Sequence, residues 1–131
     1  MEQEKLFIEE KEPCPEVDFD FAANRFTLSG TCYPENTTAF FGPILSQLEA
    51  HLKKLSGATV AFELKLRYFN SGASRVFARL FDRLEECARI GNTVTVTWFY
   101  EDGDENMEEL AEDFEEDFEA AIFRIESVEN L

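Results

Sequence analysis

Two hydrophobic periods divide the chain, one of two residues and one of three to four. Val17, Phe19 and Phe21 alternate with Asp18 and Asp20, Ala23-Asn24 supplies a turn, and Phe26 and Leu28 resume the alternation before Gly30. Successive side chains of a strand point to opposite faces, so this stretch predicts a β-hairpin with one apolar face. Residues 1–15 are polar and acidic, carry Pro13 and Pro15, and hold one short apolar run, Leu6-Phe7-Ile8, which predicts an N-terminal arm or edge strand. Tyr33-Pro34-Glu35-Asn36 is a loop signal, because proline keeps the residue before it out of the helical region. Phe41, Ile44, Leu45, Leu48, Leu52 and Leu55 then recur at helical spacing up to Gly57. Pro43 lacks an N–H and is tolerated best in a first turn. The regular helix is therefore expected from about Gly42, with Thr37 to Phe41 as a preceding turn.

In the second half, Val60, Phe62, Leu64, Leu66 and Tyr68 fall on one face of a strand and Glu63, Lys65 and Arg67 on the other. A helix with Val76, Phe77, Leu80, Leu84, Cys87 and Ala88 on one side follows and ends at Gly91-Asn92. Val94, Val96, Trp98 and Tyr100 alternate with threonines, a strong strand signature. Met107, Leu110, Ala111, Phe114 and Phe118 return to helical spacing, and Ala121 to Val128 predicts a last strand. Strands and helices alternating over short links imply right-handed βαβ crossovers. The expected fold is α/β: a mixed, largely parallel sheet with helices mainly on one face and an N-terminal β-hairpin as antiparallel edge, residues 16–131 forming one domain. Loops at the carboxyl ends of parallel strands gather at one edge. Three are expected to meet there: Tyr33 to Thr38, Asn70 to Ser74 and Glu101 to Glu105.

Charge narrows the partners. With 28 acidic residues against 12 basic, the formal charge is −16, a field that repels nucleic-acid phosphates and anionic lipid surfaces, so neither nucleic acid nor membrane is expected as a partner. The imbalance is concentrated, since Glu101 to Glu119 holds 12 acidic residues and no basic one. Such a stretch either attracts a basic partner or maintains solubility. The three cysteines, Cys14, Cys32 and Cys87, are odd in number and lack a C-x-x-C pair, against a disulfide framework and against a zinc site. Met1-Glu2-Gln3-Glu4-Lys5 has neither the basic nor the apolar region of a signal peptide, so a reducing cytoplasm is expected.

Catalytic signatures are weak. His51, the single histidine, lies beside an apolar stripe and far in sequence from any nucleophile, and reads as a surface or boundary side chain. Gly72-Ala73-Ser74-Arg75-Val76 is half of a nucleophile elbow, and there is no P-loop and no dinucleotide fingerprint, so no cofactor is expected. Asp102, Asp104 and Asn106 match the first ligand positions of a calcium loop, but Met107 stands where that loop turns on glycine, and no metal site is assigned.

The stretch with a second possible meaning is Tyr68-Phe69-Asn70-Ser71, where a strand runs into a helix. Asn70 and Ser71 are both good N-cap residues, and an unmodified Ser71 is read as a plain cap. A phosphate on the same hydroxyl would meet the positive end of the helix dipole. Arg75, four residues on, is placed to fold back on such a phosphate, with Arg67 and Arg79 in the neighbouring sequence; the competing assignment pairs all three with surface carboxylates.

Taken together, Tyr33-Pro34-Glu35-Asn36, Phe41-x-Pro43-Ile44-Leu45, Tyr68-x-Asn70-Ser71 and Trp98-x-Tyr100 occur in the order and spacing of one family. Over about residues 17–128 the chain resembles the SiaC-type regulatory phosphoproteins. The resemblance implies a STAS-like fold, similar to anti-sigma-factor antagonists, and a partner-switching protein that is not an enzyme. It implies that the hydroxyl directly after the Asn, here Ser71, is phosphorylated by a cognate serine/threonine kinase and cleared by a metal-dependent phosphatase. In better-known relatives the unphosphorylated form activates a diguanylate cyclase and so controls cyclic di-GMP and biofilm formation. Gly72-Ala73 replace hydroxyl residues common in the family, which removes alternative acceptors and leaves Ser74 in reserve. The implied partner surface comprises Tyr33, Pro34, Glu35, Asn36, Tyr68, Asn70, Gly72 and Arg75. The alternative is a constitutive acidic interaction module in which Ser71 only caps a helix.

Overall fold

The computed structural model describes residues 5–131, so residues 1–4, part of the expected arm and of the expected leaderless start, lie outside the described residues. Six strands form one sheet in chain order: β1 (Lys5–Ile8), β2 (Glu16–Asp20), β3 (Arg25–Cys32), β4 (Thr59–Phe69), β5 (Thr93–Glu101) and β6 (Ile122–Val128). The first three are joined antiparallel and the last three pairings are parallel. Three helices make the parallel crossovers: α1 (Thr37–Lys53), α2 (Ser71–Arg89) and α3 (Glu105–Glu115).

Right-handed crossovers that all step the same way along a sheet lay their helices on one face. Burial follows that rule. Val60, Phe62, Leu64 and Leu66 of β4 are buried, while Ala61, Glu63 and Lys65 on the other face are half-buried. Tyr68, expected on the covered face, is 54% exposed on the other one: Leu66 pairs with Gly30 and Tyr68 with Thr31, so Arg67 is bulged out of the register, Tyr68 turns to the open face, and Phe69, opposite the buried Cys32, takes its place under the helices. Aromatic side chains fill the space under the helices, with edge contacts from Phe69 and Phe77 to Trp98 at 5.7 and 6.4 Å and Phe114 stacked on it at 5.7 Å. A second group joins Phe19 to Phe26 at 5.2 Å and to Phe62 at 5.8 Å. His51 borders this group as a boundary side chain, edge-on to Phe21, its Nε2 2.6 Å from Asn24 Oδ1.

One boundary differs from expectation. α1 begins at Thr37, not near Gly42, and Pro43 lies within it. Asn36 supplies the cap, its side chain accepting from the Ala39 N–H at 3.0 Å, so the helix is nucleated upstream of the proline. The missing Pro43 N–H then leaves only the Ala39 carbonyl without its helical donor.

A single buried carboxylate ties the far side of the sheet together. Glu85, on α2 and 6% exposed, accepts from the backbone N–H groups of Glu119, Ala120 and Ala121 at 2.8–3.0 Å, and Arg89 donates to it at 3.2 Å. Burial pushes the carboxyl upward, but the Ala121, Ala120 and Glu119 N–H groups and then Arg89 outweigh it, and the pKa falls from 4.5 to about 2. Glu85 thus fixes the passage from α3 into β6.

Candidate functional site

β1 runs parallel to β3, because both pair antiparallel with β2. Its carboxyl end therefore arrives at the same edge as those of β3, β4, β5 and β6, and residues 9–15 turn there. Sequence periodicity does not reveal this, because strand direction depends on pairing partners. The Tyr33 N–H donates to the Pro13 carbonyl at 2.9 Å, and the Glu10 carboxylate accepts from the Thr31 N–H at 3.2 Å and from Arg67 at 3.3 Å. Glu10 lies so close over Gly30 that a Cβ there would collide with its carboxylate; Gly30 also takes φ +102° beside the irregular register at Gly30/Thr31. The chain end reaches the same edge, with Arg67 donating to the Leu131 carbonyl at 3.4 Å and the Leu131 N–H donating to Glu101 at 3.2 Å.

Asn70 is the knot of the edge. Its N–H donates to the Cys32 carbonyl at 3.0 Å and its side-chain amide to the Pro34 carbonyl at 3.4 Å, while its Oδ1 accepts from the Ala73 N–H at 2.9 Å. The cap of α2 is thus Asn70, and the reading of Ser71 as the cap is corrected. Asn70 takes the extended backbone that a cap requires, and Ser71 becomes the first helical residue, with an exposed side chain. Ser74 is half-buried one turn later.

The two expected loops do come together. A Cβ on Gly72 would lie 3.2 Å from Thr37 Cγ2, so the small residue lets the starts of α1 and α2 approach closely. Tyr33 and Tyr68, 38% and 54% exposed, meet edge to face at 6.0 Å. Partial burial and then the Glu12 carboxylate push the Tyr33 phenol above its ordinary value, so it remains a neutral donor. Pro34 is buried, while Glu35 and Asn36 are exposed. The third loop, at the end of β5, opens the same edge one strand further on. Its Asp104 caps α3 by accepting from the Met107 N–H at 3.2 Å, which gives this residue of the calcium-like run a structural duty. Among the described residues no group of carboxylate, histidine and cysteine side chains is arranged to hold a metal ion.

The three arginines separate. Arg67 pairs with Glu10 and Arg79 with Glu49, each at 3.3 Å, as the surface-pair assignment has it. Arg75 is exposed and has no ion-pair partner among the described residues. It borders a groove of about 260 Å³ between the first halves of α1 and α2, floored by Phe41, Leu45 and Val76 and passing Gly42 and Gly72. Burial, and then Cys14, push the Cys32 thiol up to about 12; burial likewise raises Cys87 against the opposing Asn92 hydrogen bond. Both stay protonated and unreactive at neutral pH.

These features define a class: an open, mostly parallel α/β protein whose exposed hydroxyl and aromatic side chains gather on a helix start at the carboxyl edge of the sheet. Within that class the chain belongs to the SiaC family, whose model, described as SiaC family regulatory phosphoprotein, matches residues 8–128. It is 31% identical over 112 residues to an uncharacterised protein of Pseudomonas aeruginosa strain UCBPP-PA14, covering 86% of this chain and 88% of that one. Apo-SiaC from Pseudomonas aeruginosa superposes with a TM-score of 0.84 at 30% identity, over 95% of this chain and 99% of that one. SiaC in complex with the diguanylate cyclase SiaD, of which it is the activator, superposes at 0.87 and 30% identity, over 94% and 99% of the two chains. No helix among the described residues is long and apolar enough to cross a membrane.

Proposed function

We propose that this protein is a non-enzymatic phospho-switch of a cytoplasmic partner-switching system, with Ser71 as the phosphoacceptor and Ser74 in reserve. A cognate serine/threonine kinase transfers the γ-phosphoryl group of ATP to Ser71 Oγ, and a metal-dependent phosphatase hydrolyses the ester, returning the hydroxyl and inorganic phosphate. The unphosphorylated form binds and activates a diguanylate cyclase, as the SiaC–SiaD complex suggests by kinship, and so acts on cyclic di-GMP and biofilm formation. One observation carries the reading: Asn70 caps α2, which leaves the Ser71 hydroxyl exposed on the first turn with no capping duty. About −1.5 to −2 charges added there change the first turn of α2, one turn before the exposed Arg75.

Intact mass after incubation with the kinase tests the assignment. The wild type should gain one phosphate and Ser71→Ala none. Full phosphorylation of Ser71→Ala, lost only on adding Ser74→Ala, would move the site to Ser74.

A further inference from the structure

The groove between the first halves of α1 and α2 stands apart electrostatically. The protein carries −16, yet neither α1 nor α2 has an acidic residue in its first turn, and no carboxylate lines the groove. Its floor is apolar, and its rim carries Arg75, whose charge no described carboxylate neutralises, beside Arg79, which Glu49 already holds. An apolar trough with an uncompensated guanidinium at its lip complements an apolar side chain flanked by a carboxylate. Ser71 stands one helical turn before Arg75 on the same face of α2, the spacing at which two helical side chains meet.

We propose that this groove receives a partner-protein segment that presents an apolar side chain next to a carboxylate, and that Arg75 serves both that carboxylate and the phosphate on Ser71. Phosphorylation then acts twice. It adds negative charge at the mouth of the groove, and it engages the cation the partner needs, so the acidic segment is repelled and loses its counter-charge together. The inference rests on the phospho-switch for the second role of Arg75, while the groove itself stands without it.

The test uses the full chain, unphosphorylated, with the SiaD-type diguanylate cyclase of the same genome as the binding probe. Gly42 offers a clean way to block the groove: a Cβ there meets nothing within 4 Å, so Gly42→Trp fills the trough without straining the fold. The expected result is a loss of roughly thirtyfold in affinity, the scale of a lost interface anchor, with an unlowered melting temperature. Arg75→Ala should weaken binding roughly tenfold and Arg75→Glu further. Wild-type affinity in Gly42→Trp would overturn the groove while leaving phosphorylation of Ser71, read by mass, intact. Conversely, loss of binding in the groove variants with no phosphate accepted at Ser71 would sink the switch and keep the groove. Shared use of Arg75 is read from Ser71→Asp in two backgrounds. Its fold-loss of affinity should shrink at least several-fold when Arg75 is already Ala, and equal losses would overturn the sharing.

Discussion

α2 and α3 begin in the same way and end up with different duties. Each follows the carboxyl end of a parallel strand, and each is capped by an Asx side chain three residues before the N–H it accepts, Asn70 to Ala73 and Asp104 to Met107. Yet α3 opens with Glu105 and Glu108, whereas the first turn of α2 holds no acid and exposes Ser71. The dipole of α3 is already answered by fixed carboxylates, and Glu108 is further held by the Tyr100 hydroxyl at 2.9 Å. That of α2 is left open, so only there does an added negative charge change the balance. Past its end, α3 is also tied down by Glu85, while nothing comparable closes the groove beside α2. Local capping chemistry makes both helix starts possible, and the residues just inside the cap decide which one keeps its dipole unanswered.

Changes on the α3 side should therefore reduce stability and spare partner binding, whereas changes at the start of α2 should reach partner binding whatever they do to stability. The largest effect is expected from Glu85→Ala, which orphans three backbone N–H groups and frees Arg89. Denaturant unfolding should show a loss of about 4 kcal/mol with cyclase affinity unchanged in the folded fraction. Equal damage to affinity would break the division.

Acid titration reaches the same carboxylate without mutation. Glu85 binds its proton less readily in the folded chain, at about 2 against 4.5, so its stabilisation is complete above about pH 5 and lost as pH falls towards 2. The wild type should lose about 3 kcal/mol over that window through this group. Glu85→Gln should flatten that part of the pH–stability curve, and an unchanged slope would show that other carboxylates dominate.

The two caps sharpen the contrast at smaller scale. Asn70→Ala and Asp104→Ala should each lower stability by about 1 kcal/mol in the same unfolding assay. Only Asn70→Ala also unties α2 from the Pro34 carbonyl, so only it should weaken cyclase binding. Smallest of all, Ser71→Asp should raise stability by a few tenths of a kcal/mol by answering the open dipole, whereas Asn106→Asp, in the already acidic first turn of α3, should give no gain. Thermal melts of the two variants at low salt compare them directly, and a gain of the same size at both positions would refute the electrostatic distinction.

Much of this was readable from the chain. The alternation in β2 to β5 and the helical spacing in α2 and α3 carry element type and buried face, because a half-buried strand or helix must repeat its apolar positions, except past Leu66 of β4, where the bulge at Arg67 exchanges Tyr68 for Phe69. Pro43 points to a helix start near Gly42, but a proline removes only one hydrogen bond, and the Asn36 cap upstream still begins the helix at Thr37. Ser71 was visible as a candidate, but Asn70 and Ser71 are near-equal caps in isolation. The choice between them depended on where the Cys32 and Pro34 carbonyls lie, and these belong to another strand.

By itself, then, the sequence determined the alternation of strands and helices, the acidic character, and the family that Tyr33-Pro34-Glu35-Asn36 and Tyr68-x-Asn70-Ser71 announce, since these depend on neighbours within a few residues. Tertiary structure alone decided that the β1–β2 turn and residue 131 reach the carboxyl edge of the sheet and that Asn70 rather than Ser71 caps α2. It also decided that Arg67 and Arg79 are paired while Arg75 is not. Each of those outcomes depends on which strands pair and in which direction, and so on groups up to 64 residues apart, as between Arg67 and Leu131. No local period in the chain encodes that distance.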